Sequence, residues 1–172
     1  MAILEFYHVD TPYINYLKKY QDYIWNNDDK GNTRPYVGIL ILINGFKYYA
    51  PLTSPKTVNK KVKDNLTKIR IDHGNQFMGL INLNNMIPVN DDDVTLVNFK
   101  TLDSKYTLLL QTQRIEIRKK EKKIYQNAKA LYNKVTKHAE DNEWLVDRCY
   151  NFKLLEQKCQ EYKNSILHLE QS

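Results

Sequence analysis

The sequence is poor in the residues that mark several large classes of protein. It has 172 residues but only two cysteines, five glycines and five prolines, which excludes collagen-like and low-complexity chains. Cys149 and Cys159 stand ten positions apart, which matches neither a disulfide framework nor a zinc motif. No apolar run approaches the roughly 18 residues of a membrane helix, and the N-terminus shows no secretory signal. We therefore expect a cytoplasmic, globular protein with no membrane partner.

The local motifs of several enzyme classes are also missing. The four histidines are isolated, with no His-Glu-x-x-His or Cys-x-x-Cys spacing, so a metal site is not expected. A glycine-rich phosphate loop is missing, which disfavours P-loop nucleotide hydrolysis. The run Asp91-Asp92-Asp93 could attract a hard cation but is more typical of a solvated turn. We expect neither a metal nor a cofactor.

Basic side chains, by contrast, are abundant and unevenly spread. Lysine and arginine number 26 against 20 aspartates and glutamates, a net charge of +6. Residues 105–138 carry a net +8 and residues 57–75 a net +3, whereas residues 139–172 carry −3. Such a concentration of positive charge favours a polyanionic partner. The alternative is a lysine-rich helix face that is only solvated.

The first hundred residues predict a small β structure with one short helix. Residues 3–9 are typical of a strand, and residues 12–24 of a helix that starts at Pro12. Asn44-Gly45 between apolar runs predicts a tight hairpin, because both turn residues need positive φ. Further strands are expected at 68–71 and 77–81. These short strands predict a small, strongly bent antiparallel sheet or barrel.

The pattern changes after this β region. From Tyr106 to Val135, apolar residues recur every three to four positions, which predicts one long helix. Another helix should begin after the N-cap Asn151 and direct its apolar side chains, up to Ile166, inward. Strands followed by helices predict an α+β fold. We expect a single domain over 1–172, mainly β in 1–100 and mainly helical in 104–172.

The segment Pro51-Leu52-Thr53-Ser54-Pro55-Lys56 concentrates reactive groups. The two prolines are expected to end regular pairing, so that residues 52–54 leave the sheet as a loop. Two hydroxyls and an ammonium group within four residues suit a site that holds a phosphate and stabilises added negative charge. The alternative is an ordinary turn whose hydroxyls bond to the backbone.

Four sequence blocks follow one another along the chain. No single block is decisive, but together they are specific for one family. They are Phe6-Tyr7 with residues 13–17, the run from Tyr36 to Lys56, residues 79–83 with 86–88, and Cys149 with residues 151–156. In this combination the chain resembles the ToxN/AbiQ family of type III toxin–antitoxin endoribonucleases, over nearly its whole length.

The resemblance implies a fold, an activity and partners. Family members have a compact β-barrel core related to MazF-like and Kid-like toxins, with added helices. They cut RNA without a metal and leave a 2′,3′-cyclic phosphate. A pseudoknotted RNA antitoxin, which the toxin itself processes from tandem repeats, inhibits them in a closed ring of alternating protein and RNA units. Cellular or phage RNA is the implied substrate, and abortive phage infection the implied role.

The resemblance also assigns site residues. The family's hydroxyl and lysine cluster falls on Thr53, Ser54 and Lys56, and its N-terminal tyrosine on Tyr13. A family lysine falls on Arg34, which is a departure because arginine keeps its proton. The basic residues expected to contact RNA are Lys47, Lys60, Lys61, Lys63, Arg118, Lys119, Lys120, Lys122 and Lys123.

The expected mechanism uses the 2′-hydroxyl of the RNA as the nucleophile, so that the protein has only to orient and stabilise the scissile phosphate. Lys56 and Arg34 would supply positive charge, and Thr53 and Ser54 would donate hydrogen bonds. Lys56 and Tyr13 are both candidates for the base, although Tyr13 also fits a packing role. Two other functions are open on the sequence: a non-catalytic RNA-binding module, and a DNA-binding regulator that uses residues 105–138.

Overall fold

The strands of the first hundred residues are short and are built mainly from aliphatic, β-branched and aromatic residues, which favour extended backbone. The computed structural model describes residues 3–25, 34–56 and 60–172. The strands in this part of the chain are β1 (Glu5–Val9), β2 (Pro35–Gly38), β3 (Leu42–Ile43), β4 (Phe46–Thr53), β5 (Lys68–His73), β6 (Gln76–Asn82), β7 (Ile87–Pro88) and β8 (Val94–Leu96).

These strands form one antiparallel sheet whose main path runs β5-β6-β4-β2-β1-β8, with β3 and β7 paired to β4. Within the described residues, β5 and β8 are the two ends of this path and no ladder joins them. The predicted barrel is therefore not confirmed, because closure requires the end strands to pair. A helix over Ser104–Lys119 packs against β5 instead. The α+β class is confirmed, whereas the kinship with MazF-like and Kid-like toxins stays a prediction.

The predicted hairpin is confirmed at Asn44-Gly45. These residues have φ of 52° and 81° and join β3 to β4, with Ile43 opposite Phe46. Both backbones are left-handed, as a tight hairpin turn between right-twisted strands requires.

Strand β4 continues further than the sequence predicts. It runs through Pro51 to Thr53, with Pro51 opposite Tyr36 of β2 and Thr53 opposite Leu80 of β6. The prediction that residues 52–54 form a loop is thus wrong for 52 and 53. Pro51 removes only one donor, and β4 keeps pairing because its last residues change partner from β2 to β6. Only Ser54, Pro55 and Lys56 leave the sheet.

The helices are α1 (Thr11–Leu17), α2 (Ser104–Lys119), α3 (Glu121–Lys137), α4 (Glu143–Val146) and α5 (Phe152–Gln171). The predicted helix over 12–24 is shorter, and the predicted long helix is two helices that meet at Lys120. Lys120 has φ −105° and ψ 6°, and no proline or glycine signals this break. The apolar stripe itself is confirmed, since Leu110, Ile117, Ile124, Ala128 and Leu131 are all buried.

Helix α5 begins as predicted, because the Asn151 side chain accepts a hydrogen bond from the Leu154 N–H. Phe152, Leu155 and Cys159 are buried in the core. Ile166 is 39% exposed, so the prediction that it points inward is wrong. Residues 163–172, the last part of this helix and the C-terminus, are all exposed. None of the helices in the described ranges is long and apolar enough to cross a membrane.

Candidate active site at the end of strand β4

The last residue of β4 is held by a buried amide. The Asn82 Nδ2 group of β6 donates to the hydroxyl oxygen of Thr53 and, at 3.3 Å, to the carbonyl oxygen of Pro51. Thr53 and Asn82 are each 3% exposed. The sequence predicts that Thr53 contacts a phosphate directly, but this burial places its hydroxyl against Asn82 and away from solvent. It anchors the strand end from which the next residues project.

Ser54 and Lys56 are the exposed reactive side chains of the segment. They follow Thr53 in a turn in which the Lys56 N–H lies 3.3 Å from Ser54 Oγ, as donor to that oxygen. The turn alternative, with a hydroxyl bonded to backbone, is therefore present in the structure. In this bond the hydroxyl oxygen of Ser54 acts only as an acceptor.

Arg34, the residue before β2, reaches the same end of β4. Its Nη1 donates to the carbonyl oxygen of Leu52 at 3.3 Å. Its guanidinium carbon lies 4.2 Å from the ring centroid of Trp25, a stacking contact that fixes the planar cation. Burial lowers the pKa of Arg34, and nearby phenols partly offset this. An arginine so placed stays charged at neutral pH.

Aromatic side chains surround this guanidinium. Tyr36, Tyr106 and Tyr150 all lie close enough to raise its pKa. Burial raises the pKa of Tyr106, and Arg34 opposes this rise. The Tyr150 hydroxyl donates to the carbonyl oxygen of Tyr23 at 2.7 Å. Sequence reasoning missed these rings, and the apolar stripe of the helical region, which includes Tyr106, was the only signal that one of them turns inward.

Tyr13 lies at the other end of β4. It is fully buried, and its hydroxyl donates to the carbonyl oxygen of Pro88 at 2.6 Å. Pro88 faces Tyr48, five residues before Thr53 along the strand, or about 16 Å at 3.3 Å per residue. Burial raises the pKa of Tyr13 well above its usual range. The structure thus brings Thr53, Ser54, Lys56 and Arg34 together and does not bring Tyr13 to them.

Most of the basic residues predicted to bind RNA form ion pairs within the protein. Asp64 accepts from Lys123 at 2.6 Å and from Lys120 at 3.2 Å. Burial raises the pKa of Asp64, but hydrogen bonds from Lys123 and the Arg70 N–H outweigh this and leave it lowered. The remaining pairs are Lys47 with Asp91 (2.8 Å), Lys119 with Glu116 (2.9 Å) and Arg118 with Glu5.

Lys47 also belongs to a different part of the surface. It lines an apolar groove of about 440 Å³ with Ile39 to Ile43, Tyr125 and Lys129. This groove lies at the start of β4, whereas the hydroxyl and lysine cluster lies at its end. The structure therefore separates Lys47 from the other predicted site residues.

A second set of lysines follows the candidate site. Lys60, Lys61 and Lys63 are exposed, and Arg70 holds their segment beside β5 through the carbonyl oxygens of Lys60 and Val62. In the described part of the chain, Lys60, Lys63 and Lys122 take part in no ion pair. These three ammonium groups have no acidic partner to lose when they bind a phosphate.

No group of three or more histidine, cysteine, aspartate or glutamate side chains comes together within residues 3–25, 34–56 and 60–172. The Asp91-Asp92-Asp93 run forms a 3₁₀ turn and is engaged by Lys47 at Asp91.

Known proteins are similar to this chain over most of its length. The family model for toxin ToxN of the type III toxin–antitoxin system matches residues 5–160. Endoribonuclease ToxN of Pectobacterium atrosepticum is 33% identical over 166 residues, which cover 92% of this chain and 94% of that protein. Endoribonuclease ToxN of Bacillus thuringiensis subsp. kurstaki is 32% identical over 167 residues, 92% and 84% of the two chains.

Solved structures agree. A structure from work on selective toxin inhibition by a non-coding RNA pseudoknot superposes with a TM-score of 0.83 at 30% identity, and covers 94% of this chain and 99% of that one. The lactococcal anti-phage endoribonuclease AbiQ superposes with a TM-score of 0.82 at 27% identity, over 95% and 99%. The fold is thus that of a type III toxin. The chain belongs to the ToxN family.

Proposed function

We propose that this protein is the endoribonuclease toxin of a type III toxin–antitoxin system. It cuts RNA without a metal, through attack of the 2′-hydroxyl on the adjacent phosphate, and leaves 2′,3′-cyclic phosphate and 5′-hydroxyl ends. The observation that carries this proposal is the strand end of β4, where the exposed Ser54 and Lys56 follow Thr53 and the Arg34 guanidinium, stacked on Trp25, donates to the Leu52 carbonyl oxygen.

Each residue has a role that its surroundings support. Ser54 donates a hydrogen bond to a phosphate oxygen, and Lys56 and Arg34 stabilise the charge that develops in the transition state. Lys56 is the proposed proton acceptor, because Arg34 holds its proton and Tyr13 is buried with its hydroxyl committed to Pro88. The buried Thr53 holds the end of β4 in place, and Tyr13 stabilises the packing between α1, β7 and α5.

The proposed inhibitor is a pseudoknotted RNA that the protein processes from tandem repeats and binds in a closed ring. Family membership supports this partner, as does the inhibition of a related toxin by a non-coding RNA pseudoknot. The basic segments 60–63 and 118–123 supply a surface for its phosphates. Cellular and phage RNA are the proposed substrates, and abortive infection the proposed role, in line with the anti-phage activity of AbiQ.

The test is a product analysis on purified protein in EDTA. The proposal expects RNA fragments with 5′-hydroxyl ends that polynucleotide kinase labels directly, and 3′ ends that need phosphatase or acid treatment before ligation. Fragments with 5′-phosphate ends, or activity that EDTA abolishes, would indicate a metal nuclease. Retarded but uncut RNA would instead favour the non-catalytic RNA-binding module.

A further inference from the structure

Buried polar side chains are concentrated at the candidate site. Within the described residues, only four buried side chains are polar or charged, namely Thr53, Asn82, Gln113 and Glu156. Three of them, Thr53, Asn82 and Gln113, lie together at the end of β4. Burial of an amide costs free energy unless hydrogen bonds compensate, so two buried amides at one strand end require a reason.

Gln113 supports an irregularity in β6. The register between β5 and β6 shifts after Ile71, which faces Gly79, because Asp72 faces Phe77. Met78 is therefore the extra residue of a β-bulge, and a bulge leaves backbone groups without ladder partners. The Gln113 Nε2 group, which reaches in from α2, donates to the Met78 carbonyl oxygen at 2.6 Å.

The bulge presses β6 against the last residue of β4. Gly79 has φ of +136°, a backbone region that favours glycine, and a Cβ at this position would collide with the Thr53 carbonyl oxygen. The same Cβ position lies 3.5 Å from Gln113 Nε2. Gln113, the bulge and Thr53 thus form one contact chain from α2 to the residue before Ser54.

Gln113 is only half satisfied in this arrangement. Its side chain is 2% exposed, and its Oε1 accepts no hydrogen bond from any residue in the described ranges. A buried amide that serves stability alone would be expected to use both of its ends. The single bond to Met78 fits a residue whose main task is to fix the bulge.

We propose that Asn82 and Gln113 are positioning residues of the ribonuclease, an inference that rests on the proposed function. Asn82 fixes the Pro51 carbonyl and the Thr53 hydroxyl, and Gln113 fixes the bulge that abuts the Thr53 carbonyl. Together they set the direction in which β4 ends and place Ser54 and Lys56 at the scissile phosphate. Neither amide touches the RNA.

The remaining buried polar residue supplies a matched control. Glu156 is 6% exposed and accepts hydrogen bonds from the hydroxyls of Tyr48 at 2.8 Å and Tyr132 at 2.5 Å. Tyr48 lies five residues before Thr53 on β4, so this cluster occupies the same strand far from Ser54. Replacement of Glu156 disturbs a buried polar network without touching the strand end.

The experiment compares three isosteric, uncharged variants: Asn82→Leu, Gln113→Met and Glu156→Met. The single-turnover rate on a short RNA at saturating protein reports the chemical step. The Kd of the same RNA with a 2′-deoxy group at the cleavage position reports binding, and near-UV circular dichroism sets a temperature at which each variant is folded. A double variant Thr53→Val/Asn82→Leu tests whether both residues act through one hydrogen bond.

Displacement of catalytic groups by about 1 Å can slow a reaction by about 100-fold. We expect Asn82→Leu and Gln113→Met to cut 10- to 100-fold more slowly, with Kd within about twofold of wild type, by the same reasoning. Glu156→Met should cut within about twofold of wild type, because its network does not reach the strand end. The double variant should be no slower than the slower single variant.

The inference is overturned if the folded Asn82 and Gln113 variants cut at the wild-type rate, or if Glu156→Met slows the reaction equally. A change in Kd without a change in rate also overturns it, since that would mark direct RNA contacts. Should Asn82→Leu not fold, Thr53→Val removes the acceptor of the same bond and decides in its place. If the wild-type protein itself does not cut RNA, the proposed function is refuted instead. The wild-type cleavage rate therefore separates failure of the proposed function from failure of this inference.

Discussion

The two ends of β4 each hold a buried polar cluster, but the clusters differ in what surrounds them. At the start of the strand, the Glu156 carboxylate accepts from Tyr48 and Tyr132, and Lys153 approaches its other oxygen at 3.3 Å. Burial raises the pKa of the Tyr48 phenol far above its usual range, and the carboxylate adds to this. Glu156, Tyr48 and Tyr132 are thus bonded to one another and buried in the core.

At the end of the strand, Asn82 and Gln113 bind backbone and a hydroxyl that lead directly to the surface. The next side chains, Ser54 and Lys56, are exposed, and Arg34, stacked on Trp25, donates to the carbonyl oxygen of Leu52. In the proposed scheme, similar buried polar groups have different roles. Where the network is closed it contributes stability, and where it opens onto exposed reactive groups it fixes their geometry. Five predictions test this distinction.

The largest effect is expected for Ser54→Ala. Loss of one preorganised donor to a developing charge costs about 100-fold or more in rate, so expression of the variant should no longer arrest growth. Ser54 is exposed, and its truncation leaves no core cavity. The thermal midpoint should therefore match wild type. Ser165→Ala, an exposed serine on α5, is the matched control, and a folded Ser54→Ala protein that still kills removes Ser54 from the mechanism.

Loss of the buried Glu156 cluster at the start of β4 should lower the free energy of unfolding. Glu156→Met leaves the buried Tyr132 hydroxyl without its acceptor and the Tyr48 hydroxyl with only the Phe152 carbonyl oxygen at 3.4 Å, which costs about 2 kcal/mol of unfolding free energy. Equilibrium unfolding in urea measures this loss. The cleavage rate per folded molecule should not change. An unaltered urea midpoint would mean that water replaces the carboxylate and that the cluster is not closed.

Sequence patterns predicted the parts of the fold that depend on local preference. The Asn44-Gly45 turn needs positive φ at both residues, and the Asn151 cap needs a side-chain acceptor, so each is visible in a few letters. The break at Lys120 and the continuation of β4 through Pro51 cannot be read from a few neighbouring residues. Both depend on partners distant in the chain, namely Asp64 and Arg70 for Lys120 and β6 for β4.

The candidate site divides in the same way. Ser54 and Lys56 stand in one short segment, and their proximity follows from the sequence. The burial of Thr53 by Asn82 and the contact of Gln113 with the Met78 bulge join residues 29 and 35 positions apart. A buried glutamine on an apolar stripe looks like an ordinary exception in sequence, because the pattern does not say which backbone group it meets.

Arg34→Lys tests whether the site at the end of β4 needs the geometry of arginine as well as its positive charge. Lysine keeps the charge but loses the planar stacking on Trp25 and the fixed bond to the Leu52 carbonyl. We expect the rate to fall about tenfold, in keeping with one weakened charge contact. The pH–rate profile should keep its shape, since both side chains are cations. A faster enzyme with a new ionisation in its profile would instead assign this position to proton transfer.

Salt dependence separates the two kinds of lysine near the open end. Lys60, Lys63 and Lys122 have no ion pair within the described residues, whereas Lys120 and Lys123 share Asp64. Replacement of the first three by glutamine should reduce the slope of log Kd for antitoxin RNA against log salt by roughly one unit per lost phosphate contact. Lys163→Gln on α5 should leave it unchanged. An unchanged slope in the triple variant would reduce these lysines to a solvated face.

The smallest effect concerns Asp64, whose bonds to Lys120, Lys123 and the Arg70 N–H join the 60–65 segment to the α2–α3 junction. These bonds hold the pKa of Asp64 below its usual value. A lowered folded pKa contributes stability above the unfolded pKa, near 3.9, and this contribution disappears as the pH falls through the folded pKa. Because the carboxylate is partly solvated, the contribution is at most about 1 kcal/mol. Asp64→Asn should therefore lower the urea midpoint slightly at pH 7 and by less near pH 2. An equal loss at both values would mean that the geometry of the segment, and not its charge, holds it against the helices.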